Sequence, residues 1–203
     1  MEVLECKFGF SIQLGKMLQN EPQTPRDERV PYLKALYVQW ESVDVTDLPE
    51  MWASPEDILK YSVQSGDLLV CEGGEVGRAG ILWNSPAKCI IQNALHRVRP
   101  RKDNCSQYLM YLLEVVSYRG WFDILCNKAT IAHFTSEKFG GLSIALPPPN
   151  EQRAIAAFLY QETARIDALI EKIRKSIELL CEYRTALITA AVTGKIDVRE
   201  EAT

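Results

Sequence analysis

The sequence predicts an α/β or α+β globular domain over residues 1–146, followed by one long α-helix within residues 147–203. Short apolar and β-branched runs separated by proline and glycine predict several strands in the first part. In the second part, residues 150–193 contain neither glycine nor proline, and Gly194 then supplies the left-handed residue that commonly ends a helix. At about 1.5 Å per residue this helix is roughly 65 Å long, far longer than an ordinary globular helix.

The sequence of the first part of the domain predicts short strands and helices on either side of one exposed loop. Residues 1–20 fit a strand or a short helix, and residues 21–31 contain three prolines, which predicts an exposed loop. Residues 37–40 carry β-branched and aromatic side chains and predict a strand. A short helix is predicted from Ser54, because Pro55 suits the first helical position.

The middle of the domain predicts a series of strands. Residues 68–71 are apolar and predict a buried strand, which residues 73–80 (GGEVGRAG) turn back into a strand at 81–83. The glycines lack the spacing of a phosphate-binding loop and no helix start follows them, so we interpret them as a hairpin turn. Further strands are predicted at 88–91 and 94–98.

The end of the domain predicts helices before a last strand. Ser106 is expected to cap a helix over 107–118, and residues 120–126 predict a second short helix or turn. Residues 127–139 are expected to form a loop, and residues 142–146 the last strand before three prolines. The helix over 107–118 is expected to bury one side of its surface, formed by Tyr108, Leu109, Leu112, Val115 and Val116.

The apolar residues of the long helix repeat every seven positions. One row is Leu159, Ile166, Ile173, Leu180 and Leu187, and the other is Thr163, Ile170, Ile177, Arg184 and Ala191. We name these two rows the seam, because they follow the a and d positions of a five-heptad coiled coil. Full burial of a Leu or Ile side chain is worth about 1.5–3 kcal/mol, so the seam requires a covering surface. Either it packs on the chain's own domain or it pairs with a similar helix, and the length of the helix favours pairing.

Charge is distributed unevenly along the chain. The net charge is −4, but residues 1–75 carry a net −8 and residues 76–138 a net +5. Such a basic region suits a polyanion such as DNA, and on charge alone it is equally consistent with solvated surface charges. Between residues 76 and 102 there is no carboxylate, and the basic residues are Arg78, Lys88, Arg97, Arg99, Arg101 and Lys102.

Sequence signatures of catalysis and metal binding are lacking. No HExxH, Walker lysine or GxSxG element occurs, and His96 and His133 have no neighbouring partners for a triad or a metal site. We therefore expect a non-enzymatic protein without cofactor or metal, in which His96 is a satisfied, half-buried residue of a strand. The six scattered cysteines contain no CxxC pair and predict reduced thiols. The sequence lacks a signal peptide and an apolar run of bilayer length, which predicts a cytoplasmic protein.

Three motifs in the C-terminal part resemble one protein family. They are LPPPNEQ at 146–152, TARIDALI at 163–170 and LITAAVTGKID at 187–197. This arrangement closely resembles the conserved region of the specificity (S) subunits of type I restriction-modification systems. Upstream, GDLLVCEGGEVGRAGIL and NALHRVRP are similar in outline to the hairpin and following strand of a target recognition domain in that family.

The resemblance implies a non-catalytic DNA-specificity subunit, with a target recognition domain at 1–146 and a conserved region at 147–203. In the family, each recognition domain reads one half of a bipartite site in double-stranded DNA. The conserved helices set the distance between the halves and dock methylation (M) subunits, through which restriction (R) subunits join. Catalysis belongs to those partner subunits.

A complete S subunit usually carries two recognition domains and two conserved helices, whereas this chain has one of each. The chain is therefore either a natural half-subunit or a piece of a longer one. A second copy of itself, or of a like half, is expected to pair with it through the seam. The interface residues are expected to be Leu159, Ile166, Ile170, Ile173, Ile177, Leu180 and Leu187.

The base-reading residues of the family do not transfer to this chain, because recognition domains differ with the sequence that they read. The candidates therefore depend on side-chain chemistry. They are Arg78 and Lys88 for phosphate, Gln39 and Asn93 for an adenine edge, Trp40 for stacking or wedging, and Lys128, Thr130 and His133 for a second contact loop. The rival interpretation is a coiled-coil scaffold whose globular domain binds another protein. A free-standing nuclease or methyltransferase is disfavoured by the missing motifs.

Overall fold

The computed structural model describes residues 2–126 and 133–197, which divide into two units. The first unit ends at Ala156 and the second begins at Ala157. This division falls inside the long helix, so about two turns of that helix belong to the first unit. The expected domain boundary after residue 146 falls at the end of the strand that precedes the helix. That the two sides of this boundary have separate functions stays a prediction.

Three β-sheets form the framework of the first unit. Its strands are β1 (Glu2–Glu5), β2 (Phe10–Leu14), β3 (Glu28–Leu33), β4 (Glu41–Ser42), β5 (Glu50–Ala53), β6 (Leu68–Cys71), β7 (Ala79–Ile81), β8 (Ile90–Ile91), β9 (Leu95–Pro100) and β10 (Ser143–Leu146). The largest sheet has the order β2-β9-β6-β7-β4, the second has the order β5-β3-β8, and β1 pairs with β10. The pairs β3–β8 and β4–β7 are parallel and the others are antiparallel. The sheets and helices together confirm the mixed α/β class.

Five short helices and one long helix complete the described chain. They are α1 (Cys6–Gly9), α2 (Pro55–Tyr61), α3 (Ser106–Tyr118), α4 (Trp121–Leu125), α5 (Ser136–Gly140) and α6 (Pro149–Val192), with a 3-10 turn at Ala35–Tyr37. The predicted start of α2 is confirmed, because the cap Ser54 and the third helical residue Asp57 form a capping box, with Pro55 as the first helical residue. The lone Gly194, with φ of 73°, follows α6 as predicted.

The core of the first unit surrounds β6. All four residues of this strand are completely buried, as expected for a strand covered on both faces. Leu69 and Cys71 belong to a cluster that also contains Leu33 and Ile91. Helix α3 packs against β6 and its neighbours β7 and β9. The hairpin that follows β6 is therefore anchored on a rigid base.

Two predictions near β3 were wrong. The loop expected over 21–31 ends earlier, because β3 begins at Glu28. Pro31 is tolerated there because it stands where β3 changes partner: residues up to Pro31 pair with β5, and the next two pair with β8. The strand expected over 37–40 is instead the end of the 3-10 turn and the bend that follows it.

The details of α3 also differ from the prediction. Ser106 is the first helical residue rather than the cap, and Cys105 precedes it without a side-chain cap. Of the expected buried side only Leu109 is fully buried, and Val115 is 54% exposed. The run LMYLL is apolar on every side of a helix, so its periodicity does not define one face. The fully buried residues are Leu109, Met110, Tyr111 and Leu113.

The long helix begins at Pro149, inside the stretch from residue 147 for which it is predicted. Asn150 lies in its first turn, where its Oδ1 accepts a hydrogen bond from Arg153 Nη2 at 2.6 Å. Helix α5 begins inside the expected 127–139 loop and is capped by Thr135, so the loop prediction was wrong for its last part. Among the helices of the described residues, none combines the length and apolar character needed to cross a bilayer.

Candidate nucleic-acid interface

The loop between β6 and β7, residues 72–78, is a tight reversal that depends on glycine. Gly74 and Gly77 have positive φ angles of 75° and 79°, a conformation that glycine adopts without strain. A side chain at Gly77 would also place its Cβ 2.1 Å from the ring of Phe122 on α4. Backbone hydrogen bonds from Gly77 N to Cys71 O and from Cys71 N to Arg78 O close the hairpin. The predicted hairpin turn is confirmed.

A second segment, residues 35–40, lies against this hairpin. It ends beside β7 at Gly80, where a Cβ would come within 2.6 Å of the carbonyl oxygens of Gln39 and Ser42. Only glycine permits that approach of two backbones. Gln39 is exposed, and Trp40 donates from Nε1 to Glu75 Oε1 at 3.3 Å. We call residues 35–40 and 72–78 the loop cluster.

Arg78 joins the two segments of the loop cluster. Its Nη1 donates to Glu75 Oε2 at 2.7 Å and its Nη2 donates to Ala35 O at 3.0 Å. Only 16% of its side chain is exposed. The guanidinium expected to contact phosphate is thus already engaged inside the chain, and this geometry does not favour that role.

Two more candidates lie on the other side of residues 72–78. Glu72 N donates to Ala94 O, next to Asn93, and Phe134 N donates to Glu72 O. His133, beside Phe134, has its Nδ1 3.6 Å from Glu72 Oε2 and is half exposed. The sequence candidates Gln39, Trp40, Arg78, Asn93 and His133 are therefore all gathered around the same hairpin loop.

The remaining candidates are not part of this group. Lys88 lies just before β8, where its Nζ is 2.6 Å from Glu28 Oε2, on β3 rather than on the hairpin loop. Lys128 and Thr130 lie outside the described residues. Of the three candidates for the second contact loop, His133 is the one that falls within the described residues.

Three of the six basic residues at 76–102 pair with carboxylates that lie outside that run. Arg99 binds the buried Asp67 carboxylate through two nitrogens, at 2.6 and 2.8 Å. Arg78 pairs with Glu75 and Lys88 with Glu28. Burial, and then the neighbouring Arg99, lower the pKa of Arg97. A charge count along the sequence cannot detect the pairs of Arg99 and Lys88, because their partners Asp67 and Glu28 are distant in the chain.

Sequence reasoning missed the two acidic residues of the hairpin. Glu75 accepts from both Trp40 and Arg78, and Glu72 lies beside His133. The local signal was the glycine pattern of GGEVGRAG, which places Glu75 at the tip of a turn. A carboxylate at such a tip can accept a hydrogen bond from the amino group of cytosine.

The buried titratable groups act as core residues. Burial raises the pKa of the Cys6 and Cys89 thiols to about 12, so at neutral pH they are protonated and weakly nucleophilic. All six cysteines fall in described residues and none forms a disulfide. His96 donates from Nε2 to Phe134 O at 2.7 Å, as a satisfied residue should, but it is fully buried rather than half-buried as the sequence predicted. Within residues 2–126 and 133–197, no three metal-binding side chains lie close enough to hold an ion.

Gln152, in the LPPPNEQ motif, is a buried polar residue whose role the sequence did not reveal. Its Oε1 accepts from Cys105 N at 2.9 Å, and its Nε2 donates to Asn104 Oδ1 at 2.7 Å and to Pro147 O at 2.8 Å. The first two hydrogen bonds fasten the start of α6 to the start of α3, and the third holds the segment that leads into α6. The motif glutamine is a structural anchor of the first unit.

The described chain is a mixed α/β domain with polar and aromatic side chains on its loops, followed by a long helix. The sequence model of the family described as "Type I restriction modification DNA specificity domain" matches residues 53–179. That match covers most of the chain, from β5 into the seam. The chain belongs to this family of type I restriction-modification specificity domains.

Individual relatives agree with this assignment. The chain is 26% identical over 180 residues to the type I restriction enzyme EcoKI specificity subunit of Escherichia coli K12, covering 84% of this chain and 37% of that one. It is 29% identical over 195 residues to the putative type I restriction enzyme MjaX specificity subunit of Methanocaldococcus jannaschii, covering 94% and 41%. This chain therefore spans about two fifths of the length of these two relatives.

A solved structure shows the same fold. A chain from a structural study of complex assembly and conformational transition in the type I restriction-modification system superimposes with a TM-score of 0.72. The superposition covers 94% of this chain and 45% of that one, at 19% sequence identity. The shared fold extends over nearly the whole of the chain described above.

Proposed function

We propose that this chain is a non-catalytic specificity subunit of half length, which binds one half of a bipartite site in double-stranded DNA and directs methylation and restriction by partner subunits. The observation that carries the proposal is the family match across residues 53–179, which includes residues 72–78 of the loop cluster and six of the ten seam positions. The cellular location that goes with this function is the cytoplasm.

The loop cluster is the proposed reading surface. Gln39 and Asn93 carry amides that can pair with an adenine edge, and Trp40 offers an aromatic face for stacking or wedging. His133 and the exposed Lys88, together with Lys128 and Thr130, are proposed to contact the backbone or bases. The position of Gln39 and Trp40 beside the β6–β7 hairpin suits reading, because a rigid sheet fixes where each group meets the groove.

The seam of α6 is the proposed site of pairing with a second copy or a like half. Its Ile and Leu residues beyond Leu159 are 41–65% exposed in the single chain, although full burial of each is worth about 1.5–3 kcal/mol. An isologous pair of such helices brings two recognition domains together about a two-fold axis. The exposed residues are Ile166, Ile170, Ile173, Ile177, Leu180 and Leu187.

A second set of apolar residues on α6 supports the docking of M subunits, and through them of R subunits. These side chains lie beside the seam and are 50–66% exposed. A two-stranded pair covers mainly the seam itself, so these positions remain for helices of another subunit. They are Leu169, Leu179, Tyr183 and Ile188.

A methylation assay tests this proposal. The full chain, an M subunit of a type I system from the same host and S-adenosylmethionine are incubated with a library of duplex DNA, and the modified bases are mapped. We expect methylation that requires this chain and falls at a defined sequence. Methylation that proceeds equally without the chain, or no methylation under conditions where the chain binds the M subunit, contradicts the proposal.

The rival role as a protein-binding scaffold makes a different prediction in the same assay. A scaffold would leave the DNA affinity of the complex weak and indifferent to sequence. Competition between a selected duplex and a shuffled duplex of equal length measures this directly. A specific preference of roughly a thousandfold or more is typical of dedicated DNA readers.

A further inference from the structure

We propose that Arg78 is a positioning residue, which holds the two segments of the loop cluster in register for base reading and does not itself contact phosphate. The inference rests on the proposed function, because reading DNA is the role that the two segments would share. It changes the role expected for Arg78 from contacting phosphate to holding the two segments in place.

The first step is the geometry of the guanidinium. Its two terminal nitrogens donate in different directions, one to the Glu75 carboxylate within 72–78 and the other to the Ala35 carbonyl within 35–40. A planar guanidinium can reach two fixed acceptors at once, whereas the ammonium of lysine is a single point of charge. Arg78 thus joins two chain segments that are 43 residues apart in sequence.

The second step is the closure of this link through Trp40. Glu75 uses Oε2 for Arg78 and Oε1 for the indole nitrogen of Trp40, at 3.3 Å. The contacts therefore run from Ala35 to Arg78, to Glu75 and back to Trp40 in the first segment. Such a closed set of hydrogen bonds fixes the aromatic ring relative to the hairpin, which a single contact would not do.

The third step is charge. Glu75 already neutralises Arg78, and the side chain is only 16% exposed, so little of the cation faces outward. A phosphate approaching Arg78 would also meet the carboxylate of Glu75, which is 53% exposed. The negative charges of the phosphate and of Glu75 would repel each other, which opposes binding. The arrangement suits alignment of the loops better than neutralisation of the DNA backbone.

The backbone around Arg78 makes this alignment precise. Gly77 on one side and Gly80 on the other permit contacts with Phe122 and with the backbone of residues 39–42 that no other residue could allow. Arg78 lies between these two close approaches. Losing its hydrogen bonds should therefore release the side-chain link while β6 and β7 remain paired.

The test compares Arg78→Lys and Arg78→Met with Arg29→Met, which removes an exposed arginine paired with Glu50 outside the loop cluster. Each full chain is combined with the M subunit. Binding is measured over a range of salt concentrations to two duplexes: one selected from a random library by the wild-type complex, and one of shuffled sequence. Melting temperatures are recorded for every variant.

We expect both Arg78 variants to lower the preference for the selected duplex by roughly tenfold, about the discrimination of one base pair. The slope of log affinity against log salt should stay at the wild-type value, and Arg29→Met should match the wild type in both measurements. The opposite pattern overturns the proposal: Arg78→Lys binds like the wild type, and Arg78→Met reduces the salt slope by about one. That pattern is the mark of a phosphate contact.

A second measurement needs no DNA. Hydrogen exchange of the full chain should show faster exchange of backbone amides in residues 35–43 for Arg78→Met and Arg78→Lys, with exchange in β3 and β5 unchanged. Unchanged exchange in residues 35–43 contradicts the coupling by Arg78. A wild-type complex without sequence preference contradicts the proposed function instead, so the two failures are distinguishable.

Discussion

The two units of this chain differ in whether their large apolar side chains are buried. In the first unit, β6 is completely buried, and many charged side chains pair within the unit, such as Arg99 with Asp67. In the second unit, none of the described residues 157–197 is buried, and the isoleucines of the seam are 41–58% exposed. The first unit therefore has its own buried core, whereas the second leaves an apolar surface uncovered in the single chain. We proposed that the first unit reads DNA and that the second assembles with a partner, and the following changes test that division.

The largest effect is expected from a charge in the seam. Ile173→Asp should convert a paired chain into a monomer, because each copy loses a buried isoleucine and gains a carboxylate that must be desolvated. The loss is at least roughly 3 kcal/mol, a weakening of more than a hundredfold. Sedimentation at tens of micromolar measures the mass.

Lys172→Asp is the matched control, because Lys172 lies outside the seam on the neighbouring position. It should leave the mass at that of a pair. A wild-type chain that sediments as a monomer, or a control that dissociates as fully as Ile173→Asp, would mean that the seam is not the pairing surface.

A core change should act on the first unit alone. Leu69→Ala removes a fully buried side chain of β6 and should lower the free energy of unfolding by about 2–5 kcal/mol. Urea denaturation measures this loss. Leu59→Ala removes an 82% exposed leucine of α2 and should change stability by about 0.5 kcal/mol or less. Equal losses in the two variants would contradict the assignment of the core.

The anchor of α6 to the first unit is expected to be weaker than the core. Gln152→Leu keeps the volume but leaves Cys105 N, Pro147 O and Asn104 without their partner, at a cost of about 1–3 kcal/mol. Thermal unfolding measures the loss. Gln161→Leu, at an exposed position of the same helix, is the control and should unfold as the wild type does.

The smallest expected effect is a pH dependence from His96. Burial lowers the pKa of this histidine below 6.5, opposed by the Phe134 carbonyl and by Glu72. The unfolded state therefore binds the proton first, so this contribution is complete above about pH 6.5 and is lost as the pH falls through the folded pKa. His96→Gln should flatten the stability profile between about pH 7.5 and 5.5, as measured by urea midpoints. A parallel profile in the two proteins would contradict this assignment.

The features that the sequence predicted well are those that local patterns determine. The long helix, its end at Gly194, the capped start of α2 and the β6–β7 hairpin depend on residues near each other in the chain. The features that it missed depend on distant contacts. Pro31 is acceptable within β3 only because the strand changes partner there, and the apolar run of α3 acquires its buried side from β6, β7 and β9.

The same distinction applies to the candidate site. Gln39, Trp40, Asn93 and His133 were chosen from the sequence by residue type alone; only the fold brings them around one hairpin, and their contact with DNA stays a prediction. The role of Arg78 was not, since its partner Ala35 is remote in sequence. The acidic Glu75 was overlooked for a related reason: a carboxylate argues against DNA until its hydrogen bonds to Trp40 and Arg78 are known.

The most direct test of the two-part design is the symmetry of the DNA site. Modified bases are mapped in a host that expresses this chain with its M subunit as the sole methylation system. Two identical recognition domains held about a two-fold axis predict an inverted repeat, with two matching halves separated by a spacer of constant length. A single undivided asymmetric sequence, or two unlike halves, would contradict the pairing of two copies through the seam.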